Sequence, residues 1–222
     1  KMSTLIYFAL RARAEPIRMT AKYLGINIKD EIIQMKDWPA RKGDMPKGQL
    51  PVLKLPDGTL MPETVDIMLH IATHPDANPD CTLVSDGPSV DLLKESLSSP
   101  LALANPLLCF FSKEESNKKL TPWLEEIKPI LSAHDTQLQS TDGKFFAGKN
   151  PGVGDIGLFH LVLHVEALSP KFFGGFSDKW SAWKASVAAL SGIAEYLASR
   201  PKAGTGQTGT EHSILFLDSV DP

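Results

Sequence analysis

The spacing of apolar positions changes partway along this chain. Near the start, Thr4-Leu5-Ile6-Tyr7-Phe8 is a run rich in β-formers and predicts a buried strand. EPIRMTAKYL (residues 15–24) instead places apolar side chains at helical spacing, with Pro16 in the first turn and Gly25 as the stop. INIKDEIIQM returns to strand character, and the irregular KDWPARKGDMPKG follows. GQLPVLKLPDGTL (residues 48–60) then reads as two short strands joined by a turn at Pro56-Asp57-Gly58. A helix is predicted from residue 64 to about residue 72. The order βαβ, then ββα, predicts an α/β, thioredoxin-like domain over residues 1–80 with antiparallel pairing at its end.

Residues 73–89, THPDANPDCTLVSDGPS, are dense in Pro, Asp, Asn and Gly and predict an interdomain linker. Beyond them helical spacing dominates, over 90–111, 120–138, 155–168, 177–190 and 193–199, so residues 86–222 are expected to form an all-helical second domain. Pro100 and Pro106 are expected to kink the first of these helices, and Pro129 the second more mildly. The last stretch starts with KAGTGQTGT and finishes in the apolar SILFLD, whose end is expected to dock on the body.

Composition narrows the function classes. The 222 residues carry a net charge of -3 with no run of lysine or arginine, which argues against nucleic acid or an anionic membrane as the main partner. Cys81 and Cys109 lie far apart without metal-ligand companions, so neither a disulfide framework nor a zinc ribbon is expected. No stretch approaches a signal peptide or a membrane span, and a cytoplasmic location is expected. His160 and His164 sit four apart on a predicted helix, but a third ligand and the Glu of HExxH are missing, so helix packing is favoured over a metal site.

Tyr7-Phe8 at a strand end, then RARAEPIRM, QLPVL, PDGTL and ETVDI, then GKNPGVGDIGLFH and YLASRP, resembles the cytosolic glutathione transferases in order and spacing. The likeness is to the tyrosine-type classes (sigma, mu, pi, alpha), with sigma nearest in the first domain. It implies a thioredoxin-like domain that binds glutathione, followed by a helical domain that forms the pocket for a hydrophobic electrophile. It also implies a cis Leu50-Pro51 peptide that presents the Leu50 backbone to the cysteinyl unit as a short added strand. By itself, Pro51 reads as no more than an edge-strand proline.

The same resemblance assigns chemistry to Tyr7. A phenol that hydrogen-bonds a thiolate lowers the thiol's pKa. Moving a thiol from about 8.5 to about 6.5 makes it mostly thiolate at neutral pH and takes about 2.7 kcal/mol. Arg13 would add positive potential beside the sulfur, while a strand tyrosine with its ring in the core is the plainer reading of residue 7. Trp38 and Lys42 match positions that grip the glycyl carboxylate, with Gln49 assisting. The γ-glutamyl carboxylate would sit at the N-terminus of the helix that begins at Thr64, and Glu63 would pair with the γ-glutamyl ammonium.

Three departures and one loose match stand out. Asp66 adds a second acid to the first turn of that helix, which suits the dipole but competes with an anionic ligand. Lys47 replaces an aromatic that keys into a neighbouring subunit, and a hydrated ammonium would not fill an apolar pocket. Glu95 aligns loosely with an acid that reaches the partner's glutathione in a homodimer. Gly152-Val153-Gly154-Asp155 lacks the hydroxyl of a Ser/Thr-x-x-Asp capping box. Two functions therefore fit: a glutathione transferase or glutathione-dependent isomerase, and a protein of the same fold that carries ligands or serves as a structural subunit without catalysis.

Overall fold

The structure is a computed structural model that describes residues 2–104 and 113–200. Four strands form one mixed sheet in the order β2-β1-β3-β4: β1 Ser3–Phe8, β2 Ile28–Ile33, β3 Val52–Lys54 and β4 Leu60–Pro62. β1 pairs in parallel with β2 (Tyr7 opposite Ile32), and the parallel crossover is made by α1, Glu15–Tyr23. β1 is antiparallel to β3, which is antiparallel to β4. Alternation along β1 sends its side chains to two cores: Leu5 and Tyr7 join the main one, whereas Ile6 packs with Ile33, Met45 and Val52. Short α2, Trp38–Arg41, lies between β2 and β3 in chain order, and α3, Thr64–Ala72, follows β4.

The helical part contains α4 Gly87–Ser96, α5 Lys113–Ser140, α6 Val153–Leu168, α7 Asp178–Ala188 and α8 Ile193–Ser199 among the described residues. The helix expected over 90–111 is shorter at its end. It starts at Gly87 and stops at Ser96, and a 3₁₀ turn, Leu101–Leu103, follows the cis Ser99-Pro100 peptide. Pro100 therefore stands beyond the helix rather than kinking it. A proline has no N–H to give and disfavours helical backbone in the residue before it. Helix α5 begins seven residues before the expected 120 and runs through both Pro122 and Pro129. The kink expected at Pro106, the cysteine Cys109 and the docking of the apolar tail all lie outside the described residues.

Helix α6 is buried along most of its length, and its start is closed from two sides. Asp155 accepts from the Gly152 N–H (2.8 Å), the Phe146 N–H (2.8 Å) and the Trp183 indole N–H (2.7 Å). The hydroxyl that Gly152 lacks comes from α4: Ser89 Oγ accepts from the Gly154 N–H at 3.1 Å. A Cβ at position 152 would stand 2.1 Å from that same oxygen, so glycine there makes room for a cap supplied from elsewhere.

A buried charge cluster fastens α1 to α8. Glu15, with no solvent exposure, accepts from Arg200 Nη1 (2.6 Å) and from the Tyr196 hydroxyl (3.0 Å). Arg18 reaches Glu15 at 3.4 Å, donates to the Leu10 carbonyl at 3.0 Å and forks onto Asp30 at 2.8 Å. Burial alone would raise the Glu15 carboxyl, but Arg18, His160 and Arg200 together hold it below the ordinary value. The cluster grips the ends of the turn over residues 9–14, and that turn carries Arg13.

Candidate functional site

A cleft of about 270 Å³ opens where three segments of the thioredoxin-like part meet. It is lined by Arg13, Gln49, Leu50, Pro51, Pro62, Glu63 and Thr64, so six of the residues singled out in the sequence converge on one place. Arg13 comes from the turn before α1, residues 49–51 from the approach to β3, and residues 62–64 from the step between β4 and α3. The Leu50-Pro51 peptide is cis. Just upstream, Gly48 has φ +58, and the Lys42 stem crosses it so closely that a Cβ would come within 3.1 Å of Lys42 Cε. Glycine takes that backbone at least cost.

Helix α3 starts at the cleft without a side-chain cap. Glu63 precedes it with φ 70 and makes no capping bond, so its side chain leaves the first-turn N–H groups uncapped. Thr64, also expected to serve an anion, donates its hydroxyl proton to the Arg13 carbonyl at 3.1 Å. In this arrangement the hydroxyl ties two walls together, and the donors left for a ligand carboxylate are backbone N–H groups.

Tyr7 is not among the residues that line the cleft. Its ring is buried in the main core, 5.7 Å from the Phe8 ring, while its oxygen accepts from the Arg13 N–H at 3.3 Å. Such a bond polarises a phenol and makes it a better donor to a thiolate. Trp38 and Lys42 are not among the residues that line the cleft. Trp38 stands edge-on to Phe8 at 5.4 Å, and Lys42 is exposed beside Gly48.

The remaining candidates divide. Lys47 forms an exposed ion pair with Glu63, Nζ to Oε1 2.9 Å. Asp66 is exposed on α3, and its field reaches Lys47. Glu95 lies on α4 with its carboxylate 3.3 Å from His134 Nε2 in the same chain. His160 and His164 are both buried, with ring centroids 4.0 Å apart. Burial lowers the His160 pKa to about 4 and pushes His164 the same way. No group of three metal-ligating side chains occurs among the described residues. A second, shallower hollow of about 700 Å³ lies between residues 142–149 and the end of α7, and it shares no residue with the cleft.

Comparison with known proteins shows what the chain is similar to. The family model of the glutathione S-transferase C-terminal domain matches residues 104–200. The chain is 29% identical over 210 residues to the glutathione S-transferase class-mu 28 kDa isozyme of Schistosoma haematobium, covering 88% of this chain and 94% of that protein. It is 28% identical over 207 residues to the hematopoietic prostaglandin D synthase of Gallus gallus, covering 89% and 96%. The chain is thus similar to glutathione S-transferases over most of its length. The fold agrees: rat hPGDS complexed with a quinoline superposes with a TM-score of 0.74 at 22% identity, over 91% of this chain and 98% of that one.

Within this glutathione S-transferase fold, sequence reasoning missed Pro62 in the cleft wall, the Lys47–Glu63 pair and the Glu15–Arg18–Arg200 cluster behind Arg13. Pro62 adjoins Glu63 and was findable from that adjacency. The Lys47–Glu63 and Glu15–Arg200 contacts join separate segments of the chain and left no local signal.

Proposed function

We propose that this protein is a glutathione transferase in which Tyr7 stabilises the glutathione thiolate for attack on a hydrophobic electrophile. The observation that carries this reading is the convergence of Arg13, Gln49, Leu50, Pro51, Glu63 and Thr64 on one cleft, with the Tyr7 oxygen bonded to the backbone of Arg13 in its wall. Glutathione would pair its cysteinyl backbone with Leu50, rest its γ-glutamyl carboxylate on the N–H groups of α3, and turn its glycyl carboxylate toward Trp38 and Lys42. The thiol proton leaves to solvent, and the Tyr7 hydroxyl donates to the sulfur. The sulfur then forms a bond to the electrophilic carbon while the leaving group departs with its electron pair. Helix α3's dipole and Arg13 favour the accumulated negative charge. No helix among the described residues is long and apolar enough to cross a membrane, and a cytoplasmic setting belongs to the same reading.

Tyr7→Phe tests it. Loss of the one donor is expected to raise the pKa of bound glutathione by about 1–2, and to slow conjugation of an aryl halide by about ten- to hundredfold at neutral pH. An unchanged rate, with glutathione still bound, overturns the role of Tyr7. Absence of glutathione binding to the unaltered protein at millimolar ligand would favour the non-catalytic carrier. Similarity to a prostaglandin D synthase supports a second reading, in which the same thiolate isomerises its substrate and is released again. The two differ in whether glutathione is consumed.

A further inference from the structure

Lys47 and Glu63 are both non-glycine residues with positive φ, 55 and 70, a backbone region that side chains seldom adopt. One lies in the turn that leads to Gln49 and Leu50, and the other immediately before α3, so they flank the cleft from its two sides. Their side chains meet, Nζ to Oε1 2.9 Å, yet remain 63% and 42% exposed. Glu63 is the anionic residue in the cleft lining, while Lys47 stands outside that lining. The ammonium therefore occupies one oxygen of the carboxylate that would receive a cationic ligand group, in a solvated pair weak enough to exchange.

We infer that Lys47 is a tethered competitor for Glu63 and sets how tightly the cleft takes the ammonium of an α-amino-acid head group. The inference rests on the glutathione reading above. On it, a ligand that carries both a carboxylate and an ammonium displaces Lys47 from Glu63 as it binds, whereas a ligand with the carboxylate alone leaves the pair in place. Removing the lysine end group frees Glu63 and favours the first ligand only. Asp66, whose field also reaches Lys47, gives the displaced ammonium a second acid nearby.

Calorimetry of two ligands against Lys47→Met tests this, methionine keeping an unbranched stem without the charge. The ligands are glutathione and glutaryl-cysteinylglycine, the same tripeptide without its amino group. The dissociation constant for glutathione is expected to fall about two- to fivefold in the variant, the size of one exposed ion pair, and that for the des-amino ligand is expected not to fall. In a Glu63→Gln background the Lys47→Met effect should vanish. Weaker binding of both ligands would mean that Lys47 attracts carboxylates and would overturn the inference, as would an equal gain for both. Glutathione binding that is identical with and without the lysine overturns the inference alone. No binding by either protein overturns the glutathione reading beneath it.

Discussion

Helices α3 and α6 begin with the same deficit, backbone N–H groups that have no acceptor within their own helix, and meet it in opposite ways. At α6 the protein closes the end itself. Asp155 takes three donors, Ser89 reaches in from α4, and the whole arrangement is buried. At α3 nothing comparable is present: Glu63 makes no capping bond, Thr64 points its proton at the Arg13 carbonyl, and the end adjoins the cleft. A capped end fixes the fold, and an uncapped end beside a cavity is where an anion can bind. The difference separates a helix end closed as scaffold from one left open beside a cleft.

The largest test of that contrast compares one acid at each end. Asp155→Ala leaves three buried donors unpaired and is expected to cost about 3–5 kcal/mol in urea unfolding. Glu63→Gln, on the partly exposed start of α3, should stay within about 0.5 kcal/mol and alter ligand binding instead. Equal losses of stability would erase the distinction.

Acid should load the α6 side next. His160, on α6, is held neutral by burial, its pKa lowered from the ordinary 6.5 to about 4. The unfolded chain therefore binds more protons than the folded one in this window, and stability falls as pH drops from about 6.5 toward 4. His160 alone accounts for about 3 kcal/mol. His164 acts in the same direction. Glu15, held low, extends the loss further into acid, while Asp155, raised by burial, partly opposes it. Urea midpoints at several pH values, with His160→Asn as the control that flattens the slope, would check this.

The smallest effect concerns the borrowed cap. Ser89→Ala removes the acceptor of the Gly154 N–H and is expected to cost about 1 kcal/mol. Gly152→Ser alone should also destabilise, because its Cβ would stand 2.1 Å from Ser89 Oγ. Combined, the two changes should recover part of the loss by restoring a local cap, since the Cβ at 152 still stands 3.0 Å from Ala147 Cβ and from the Cβ of residue 89, and thermal melts of the four proteins would reveal the coupling.

Much of this was legible in the residues. Runs of apolar β-formers and helical spacing located β1, β2, α1, α3 and the helices of the second half, because burial of one face imposes its period directly on the sequence. The cleft was named almost completely from QLPVL and ETVDI, since closely spaced residues on strand ends and helix starts keep their local geometry. Boundaries were less legible where proline intervenes. Helix α4 stops before Pro100, while α5 passes through Pro122 and Pro129, and which outcome prevails depends on packing that the proline itself does not encode.

By itself, then, the sequence determined the order of the elements, the hydrophobic faces they present and most of the residues that line the cleft. Tertiary structure alone decided that Ser89 caps a helix 65 residues away, that Glu15 meets Arg200 across 185 residues, and that Lys47 rests on Glu63. The reason is physical: periodicity is set by each segment's own need for burial, whereas a hydrogen bond or ion pair between distant residues exists only once two independently formed surfaces have been brought together.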